Sequence, residues 1–301
     1  MDVSLVQHWR RQFAAFAAVF GLVACATPVR GDTLPESIRI ATWNIEHFGL
    51  PGEGCVPRTD DQIAAIRDYV RTLNVDVVSF QEVASQSAAE AIFPPGEWHI
   101  FASRRVYDQP QPQCRQDHTR TMGHMRTGFA VRVDLDVEAH SELAALGDTA
   151  FGPNEEPHGV DVAVRLETGS VRILSVHLTS GCSREAADAK PSCIALFSQA
   201  PALRSWIEAR EGAHEAWLIA GDFNRVWSDT DSFWAEALGA RQSAVQVISS
   251  TTGGVDHLIA SRLGQGLALQ NAHSPSSAGL NRLSDHEPVL GVVQVQLAPS
   301  P

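Results

Sequence analysis

The chain has 301 residues, of which 44% are hydrophobic, and 35 acidic side chains outnumber 23 basic ones to give a formal net charge of −12. That length suffices for one substantial core, and no repeat, low-complexity tract or long linker divides it. The charge argues against a strong non-specific grip on nucleic acid, since no basic run supplies contacts to phosphates, but it does not exclude a nuclease.

Arg10-Arg11 precede an apolar run, Phe13 to Ala24, that is too short to span a bilayer as a helix. A basic start, a short apolar centre and small residues at its end make residues 1–26 an export signal. Thr27-Pro28 and Gly31-Asp32 follow at once and argue against a buried N-terminal helix. Leu22-Val23-Ala24-Cys25 resembles the lipobox of bacterial lipoproteins, in which Cys25 is acylated and anchors the chain to a membrane. Ala24-Cys25-Ala26 equally fits an ordinary small-x-small cleavage site, and both readings stand. Arg10-Arg11-Gln12-Phe13 faintly resembles a twin-arginine signal. Export to the periplasm or outer membrane, or secretion, is the expected destination.

Removing or acylating Cys25 leaves four cysteines, a number that suits two disulfides in an oxidising compartment. Sequence alone allows three connectivities. The short loop favours Cys182–Cys193, which leaves Cys55–Cys114, and a loop of the first size stabilises by roughly 2–3 kcal/mol. None of the cysteines has zinc-site spacing.

Ile38 to Ile45 alternates and is β-branched, which predicts a first strand. Thr59-Asp-Asp-Gln62 has the form of a capping box and opens a helix with Ile63, Ile66, Val70 and Leu73 at helical spacing. Val75 to Phe80 reads as a strand ending in Gln81-Glu82. Ala84 to Ile92 reads as a helix stopped by Pro94-Pro95-Gly96, and Trp98 to Ala102 as a strand. Arg104 to Met125 is polar, rich in proline and glutamine and without period, so a long loop is expected. Strands follow at Gly128–Val133, Gly159–Leu166 and Val171–Leu178, the last pair joined at Thr168-Gly169. A helix over Pro191–Arg210 precedes strands at Trp217–Ala220, Val255–Ala260, Leu267–Gln270 and Val289–Val295. Short strands in both hairpins and strand–helix units predict an α/β protein, a two-sheet β-sandwich flanked by helices.

Acid, amide and imidazole side chains stand at the ends of these strands: Asn44 and Glu46, Gln81-Glu82, His177, Asp222 and Asn224, Asp256, Asp285-His286. Any one of them alone would read as a turn former. Together they make an oxygen- and imidazole-rich rim of the kind that metal-assisted attack on a phosphate ester requires.

Their order resembles the endonuclease/exonuclease/phosphatase superfamily, which includes pancreatic-type deoxyribonucleases, abasic-site endonucleases, inositol-polyphosphate phosphatases and bacterial sphingomyelinases. The resemblance runs from about Ile38 to Val295, within an expected domain at residues 35–298, and implies a deoxyribonuclease I-like sandwich. Thr42-Trp43-Asn44-Ile45-Glu46 looks like the first motif and Phe80-Gln81-Glu82 like the second. Ser175-Val176-His177-Leu178, Gly221-Asp222-Phe223-Asn224 and Ser284-Asp285-His286 with Pro288 complete the set.

The resemblance implies Glu82 and Asn44 as ligands of Mg²⁺, with Mn²⁺ or Ca²⁺ as alternatives, and Asp285 as a ligand directly or through water. Asp256 would orient His286, Asp222 and Asn224 would align the attacking water and the phosphate, and His177 would donate to a phosphate oxygen or help protonate the leaving group. Either Asp222 or His286 could be the base. Arg126, at the end of the long loop, is a candidate for a substrate phosphate. His257, next to Asp256 on a strand, points to the opposite face and into packing. His47 has no role that spacing assigns.

The leading reading is an exported endonuclease acting on DNA or RNA. A phosphodiesterase or phosphatase of lipid headgroups or small phosphoesters comes second. A non-catalytic envelope binding protein ranks last, because every expected position is filled. No protein partner is implied.

Overall fold

The computed structural model describes residues 33–106, 111–115, 117–149, 152–153, 157–251, 254–261, 267–273 and 283–295. The export signal expected over residues 1–26, with Cys25, lies outside the described residues. In chain order the first elements are β1 (Ser37–Gly49), β2 (Val56–Pro57), α1 (Asp60–Leu73), β3 (Val77–Val83), α2 (Gln86–Ile92), β4 (Trp98–Ala102) and β5 (Arg126–Arg132). Next come β6 (Val137–Ala139), β7 (Asp148–Thr149), β8 (Gly152–Pro153), β9 (Val160–Leu166), β10 (Gly169–His177) and α3 (Pro191–Gly212). The chain continues through β11 (Ala216–Asp222), α4 (Ser232–Leu238), β12 (Val245–Ser249), β13 (Asp256–Ser261), β14 (Leu267–Ala272) and β15 (Val289–Val295).

Two mixed sheets result. One has the order β14-β15-β1-β3-β5-β4, with β2 beside β1, and the other β12-β13-β11-β10-β9-β6. At the centre of each sheet lies a parallel pair joined across a helix, β1-α1-β3 in the first and β10-α3-β11 in the second. A parallel pair needs such a crossover, because a tight turn cannot reverse the chain twice.

Strand alternation sorts the apolar side chains into three layers. Ile38, Ile40, Val77, Phe129 and Val131 meet Val162, Val171, Ile173, Leu218 and Leu258 between the sheets. The opposite face of the first sheet, with Trp43, Ile45, Val78 and Phe80, packs on Ile63, Ile66, Val70 and Leu73 of α1 and Ile92 of α2. Trp217, Ile219, Leu174 and Val176 of the second sheet pack on Leu196, Leu203 and Ile207 of α3 and Phe233 and Trp234 of α4. The two-sheet sandwich flanked by helices is therefore the observed fold. Among the described residues no helix is long and apolar enough to cross a membrane.

Local signals explain the boundaries. Thr59 caps α1 with a complete capping box, and Asn74 closes it in the left-handed region. Helix α2 starts at Gln86 rather than Ala84, because Ser85 stays extended and its side chain accepts the Ala88 N–H. Helix α4 and strand β12 escape the sequence reading; both are short, and α4 depends on Asp231 as its cap. The disulfides Cys55–Cys114 and Cys182–Cys193 both form.

Candidate active site

On the faces the sheets turn toward each other, apolar side chains give way to polar ones near one end. Along β1 the inward residues run Ile38, Ile40, Thr42, Asn44, and along β10 Val171, Ile173, Ser175, His177. Strand β3 runs Val77, Ser79, Gln81, β11 runs Leu218, Ala220, Asp222, and β13 enters with Asp256 before Leu258.

The first polar tier is a buried set of hydrogen bonds across the sandwich. Ser175 Oγ lies 2.7 Å from Ser79 Oγ and 2.7 Å from Thr127 Oγ1, so one hydroxyl of the second sheet joins two of the first. The Gln81 amide donates to Ser79 Oγ at 2.9 Å and to Thr42 Oγ1 at 3.2 Å. Each of these groups is fully buried and finds partners, as the cost of an unpaired buried polar group demands.

Above that tier the backbone departs from regular strand. The β1–β3 register shifts between Asn44 and Phe48, and the β3–β5 register shifts between Phe80 and Val83. Glu46, His47, Glu82 and Asn224 all have positive φ, near +46°, +47°, +61° and +50°. Such backbone is uncommon for residues with a side chain and clusters at functional sites. The bulge re-aims Glu82, which strict alternation after Gln81 would send to the helix side. At the same rim Gly221 is obligatory, since a Cβ there would stand 2.0 Å from the Val176 carbonyl oxygen.

Asp222 is the hub. It is 1% exposed; its Oδ2 receives the Asn44 amide at 3.0 Å and its Oδ1 the Asn224 backbone N–H at 2.8 Å. Asn44 also donates to Glu82 Oε1 at 3.0 Å, while its own oxygen takes the Glu46 N–H. Asn44 thus presents its amide nitrogen to both carboxylates, one from each sheet. The Nε2 atoms of His177 and His286 each stand 3.9 Å from Asp222 Oδ2, and His177 Nε2 stands 3.7 Å from Glu82 Oε1. These spacings exceed direct hydrogen bonds and suit groups that address one phosphoryl group from several sides.

The other nitrogen of His286 is committed: Nδ1 lies 2.9 Å from Asp256 Oδ2. Burial works against a charged His286, but the Asp256 bond and the fields of Asp256, Asp222 and Asp285 outweigh it and raise its pKa to about 9. Burial also opposes ionisation of Glu82, yet His177, His47, the Asn44 amide and the His47 N–H together lower its pKa.

The expected residues Asn44, Glu82, His177, Asp222, Asn224, Asp256 and His286 therefore meet at one rim. Asp285 stands beside them, exposed, with Oδ1 3.7 Å from His286 Nε2. Arg126 turns onto the backbone, its guanidinium held by the Ser103 and Arg105 carbonyls. Within the rim, Asp222, Asp256 and His286 place three possible ligand atoms within 4.8 Å of one another. The oxygen donors of Glu82 and its carboxylate neighbours suit a hard divalent cation, which needs few protein ligands.

Several contacts that hold the rim carry no plain sequence signal, even where Trp43 and Ser284 stand inside the first and closing motifs. His47 donates its N–H to Glu82 Oε2 at 2.9 Å. Arg58, 3% exposed, ties the Glu46 carbonyl to the Leu283 carbonyl and so joins the first motif to the last. Ser284 Oγ donates to the Asn44 carbonyl at 2.7 Å and accepts the His286 N–H at 3.0 Å. Trp43 Nε1 donates to the His286 carbonyl at 3.0 Å.

A sandwich with this rim defines the class of a phosphoester hydrolase. A profile of the Endonuclease/Exonuclease/phosphatase family matches residues 41–286. The chain belongs to that family, whose members are divalent-metal-dependent hydrolases of phosphoester bonds. Among solved structures it is similar to the human Nocturnin catalytic domain with bound sulfate anion, at 13% identity and a TM-score of 0.59, over 88% of this chain and 96% of that one. It is also similar to an endonuclease/exonuclease/phosphatase from Beutenbergia cavernae, at 16% identity and TM-score 0.56, over 86% of this chain and 72% of that one. A third, from Bacteroides vulgatus, has 16% identity and TM-score 0.55, over 86% and 99%. These likenesses concern the fold. Comparison with curated protein sequences finds no match.

Proposed function

We propose that this protein is a Mg²⁺-dependent endonuclease that hydrolyses phosphodiesters of DNA or RNA outside the cytoplasm. The observation that carries the phosphodiester chemistry is the convergence of His177 and His286 on Asp222, with Glu82 joined to the same carboxylate through Asn44. Glu82 would hold the cation, with Asn44 and Asp285 at its side, and a bound Mg²⁺ supplies positive charge to the phosphoryl oxygens.

The chain's own groups do the remainder. Asp222, fixed from two sides by amide hydrogens, aligns the attacking water and takes its proton. Asn224 is set by its side-chain bond to the Leu178 carbonyl at 2.9 Å. The charged His286 donates from Nε2 to the non-bridging oxygens on which negative charge grows, and His177 gives a proton from Nε2 to the leaving oxygen as its bond to phosphorus breaks. Asp256 accepts from Nδ1, stabilises the charged ring and holds it in the orientation that points the Nε2 hydrogen at the rim. The sulfate in the Nocturnin structure is a tetrahedral anion, as a phosphoryl group is.

Nucleic acid is favoured over a single phosphate by the segment 104–126. Of its five arginines, Arg105 is buried on the Gly147 carbonyl and Arg126 is held by backbone carbonyls, so the support comes from Arg104, Arg115 and Arg120, beside two aspartates in a chain that is otherwise strongly acidic. The Cys55–Cys114 disulfide staples that segment to the loop following β1. Export, by acylated Cys25 or by an ordinary signal peptide, agrees with two disulfides, which persist in oxidising compartments.

The test is a panel assay of the mature protein with Mg²⁺, with and without chelator, on plasmid DNA, RNA, sphingomyelin and a generic phosphodiester. Chelator-sensitive cleavage of DNA or RNA, lost in His286→Ala and Asp222→Ala, is the expected outcome. Turnover of the lipid with nucleic acids untouched would replace the nuclease by the lipid-headgroup reading.

A further inference from the structure

Directly after Asn224 comes an arginine whose placement is unusual for a surface-rich residue type. Arg225 is 2% exposed, yet its guanidinium is fully engaged. One edge forms a two-bond fork with the Asp231 carboxylate. The remaining nitrogen, Nη1, donates to the Cys182 carbonyl at 2.9 Å and the Glu185 carbonyl at 2.7 Å. Its plane covers the Phe197 ring at 5.2 Å. The Arg225 carbonyl lies 2.8 Å from His257 Nε2, and His257 Nδ1 lies 2.8 Å from Ser249 Oγ.

These bonds join pieces that chemistry must keep in register. The loop after β10 leaves the strand that carries His177, and the loop after β11 carries Asp222 and Asn224. Backbone contacts already connect them: Leu178 N–H donates to the Asp222 carbonyl at 3.0 Å and Val226 N–H to the Ser183 carbonyl at 3.0 Å. The far side of the first loop is tied to α3 by Cys182–Cys193 and by Ser192 Oγ on the Gly181 carbonyl at 2.9 Å. Arg225 sits where both tethers meet, with Cys182 as their shared residue. Asn224 holds positive φ between these anchors, so it needs support from both sides to stay there.

We infer that Arg225, together with the Cys182–Cys193 disulfide, is a positioning clamp that holds Asn224 and the loop after His177 in their reactive geometry. The inference rests on the phosphoester-hydrolase reading of the site, and it assigns Arg225 no contact with substrate or metal. Arginine is required because lysine has a single ammonium and cannot form the planar fork to Asp231 while also donating to two carbonyls. Small misplacements of positioned groups cost rate rather than affinity, so the deficit belongs in kcat.

The test uses the full chain and the variants Arg225→Lys and Cys182→Ser with Cys193→Ser, each with the generic phosphodiester bis(p-nitrophenyl) phosphate and Mg²⁺. For each variant we expect kcat to fall about 10-fold or more, while KM and the Mg²⁺ activation constant stay within about 3-fold. Combining the changes should give less than the product of the two losses, because they release the same loop. Hydrogen exchange should quicken over residues 178–190 and 222–231 and stay as in the parent over β1 and β3. Wild-type kcat in folded Arg225→Lys, a loss that matches the unfolded fraction, or multiplicative losses would each overturn the clamp. If Arg225→Lys does not fold, the cysteine pair alone must show the selective loss of kcat, and its absence overturns the clamp as well. If the parent turns over no phosphodiester, the functional reading fails, while the exchange pattern still decides for or against the clamp.

Discussion

His286 Nδ1 lies 2.9 Å from Asp256 Oδ2, a pairing between the loop before β15 of one sheet and the start of β13 of the other. The carboxylate is 1% exposed and the imidazole 20%, so the bond is shielded while Nε2 stays accessible to the rim. Asp256→Asn should leave the fold in place and lower kcat by on the order of 10²–10⁴, since the amide stabilises neither the imidazolium nor the required tautomer. The pH profile gives the sharper reading. The His286 pKa, raised to about 9, keeps the ring charged through neutral pH, and activity that needs the charged ring falls as pH rises through that value. Removing the Asp256 charge lowers the His286 pKa, so the alkaline limb must move to lower pH. An alkaline limb that does not move would take the pair out of the mechanism.

Glu82 accepts from the Asn44 amide and the His47 N–H, which fixes both of its oxygens at the rim. Glu82→Gln should weaken Mg²⁺ or Mn²⁺ binding by at least about 10-fold, measured calorimetrically on the full chain without substrate. Unchanged binding would transfer the cation to Asp222, Asp256 and His286, the other group with converging ligand atoms.

Most of the rim was legible because strand alternation forces it. Once Ile38, Ile40 and Thr42 share a face, Asn44 must share it too, and the same holds for Ile173, Ser175 and His177. Glu82 was legible as an acid at a strand end, but its ligand role came only through motif resemblance, since alternation would bury it on the helix side and the bulge that redirects it has no local signature. The contacts of Arg58, Ser284 and Arg225 were not legible, although Ser284 stands in the closing motif. Their partners lie 225, 240 and 43 residues away, and nothing in a window of sequence brings such segments together. His257, which alternation sends into packing, is enclosed by Phe223 and Trp234.

The hydroxyl tier below the rim gives a stability prediction. Ser175→Ala deletes the hydroxyl shared by Ser79 and Thr127 in a fully buried layer. It should cost about 1–3 kcal/mol, the penalty for buried polar groups that lose a partner. Urea unfolding measures it. A cost near zero would mean that Ser79 and Thr127 are satisfied by their remaining bonds to the Ala220 and Phe80 carbonyls.

The two disulfides close loops of different length, with separations of 59 and 11 residues. In the chain-entropy model removal of Cys55–Cys114 costs about 4 kcal/mol and removal of Cys182–Cys193 about 3 kcal/mol. Urea midpoints of the paired serine variants test the order. A larger loss from the short loop would show that Cys182–Cys193 acts through native contacts, Arg225 foremost, rather than through the unfolded chain.

His257 supplies a pH signature separate from catalysis. It is fully buried, and burial lowers its pKa to about 4 against the smaller opposing effect of the Arg225 carbonyl. The folded protein therefore holds the ring neutral, whereas the unfolded chain takes up a proton near pH 6.5. The resulting stability is complete above about pH 6.5, declines as pH falls toward 4, and changes no further below that, for a total of roughly 3 kcal/mol. His257→Asn removes the titration, so the stability gap between parent and variant should narrow by about that amount between pH 7 and pH 4. Urea unfolding of both proteins across this range measures the gap. A gap that stays constant with pH would mean that His257 takes up its proton at the same pH in the folded and the unfolded chain, with Nδ1 then donating to Ser249 Oγ rather than accepting from it.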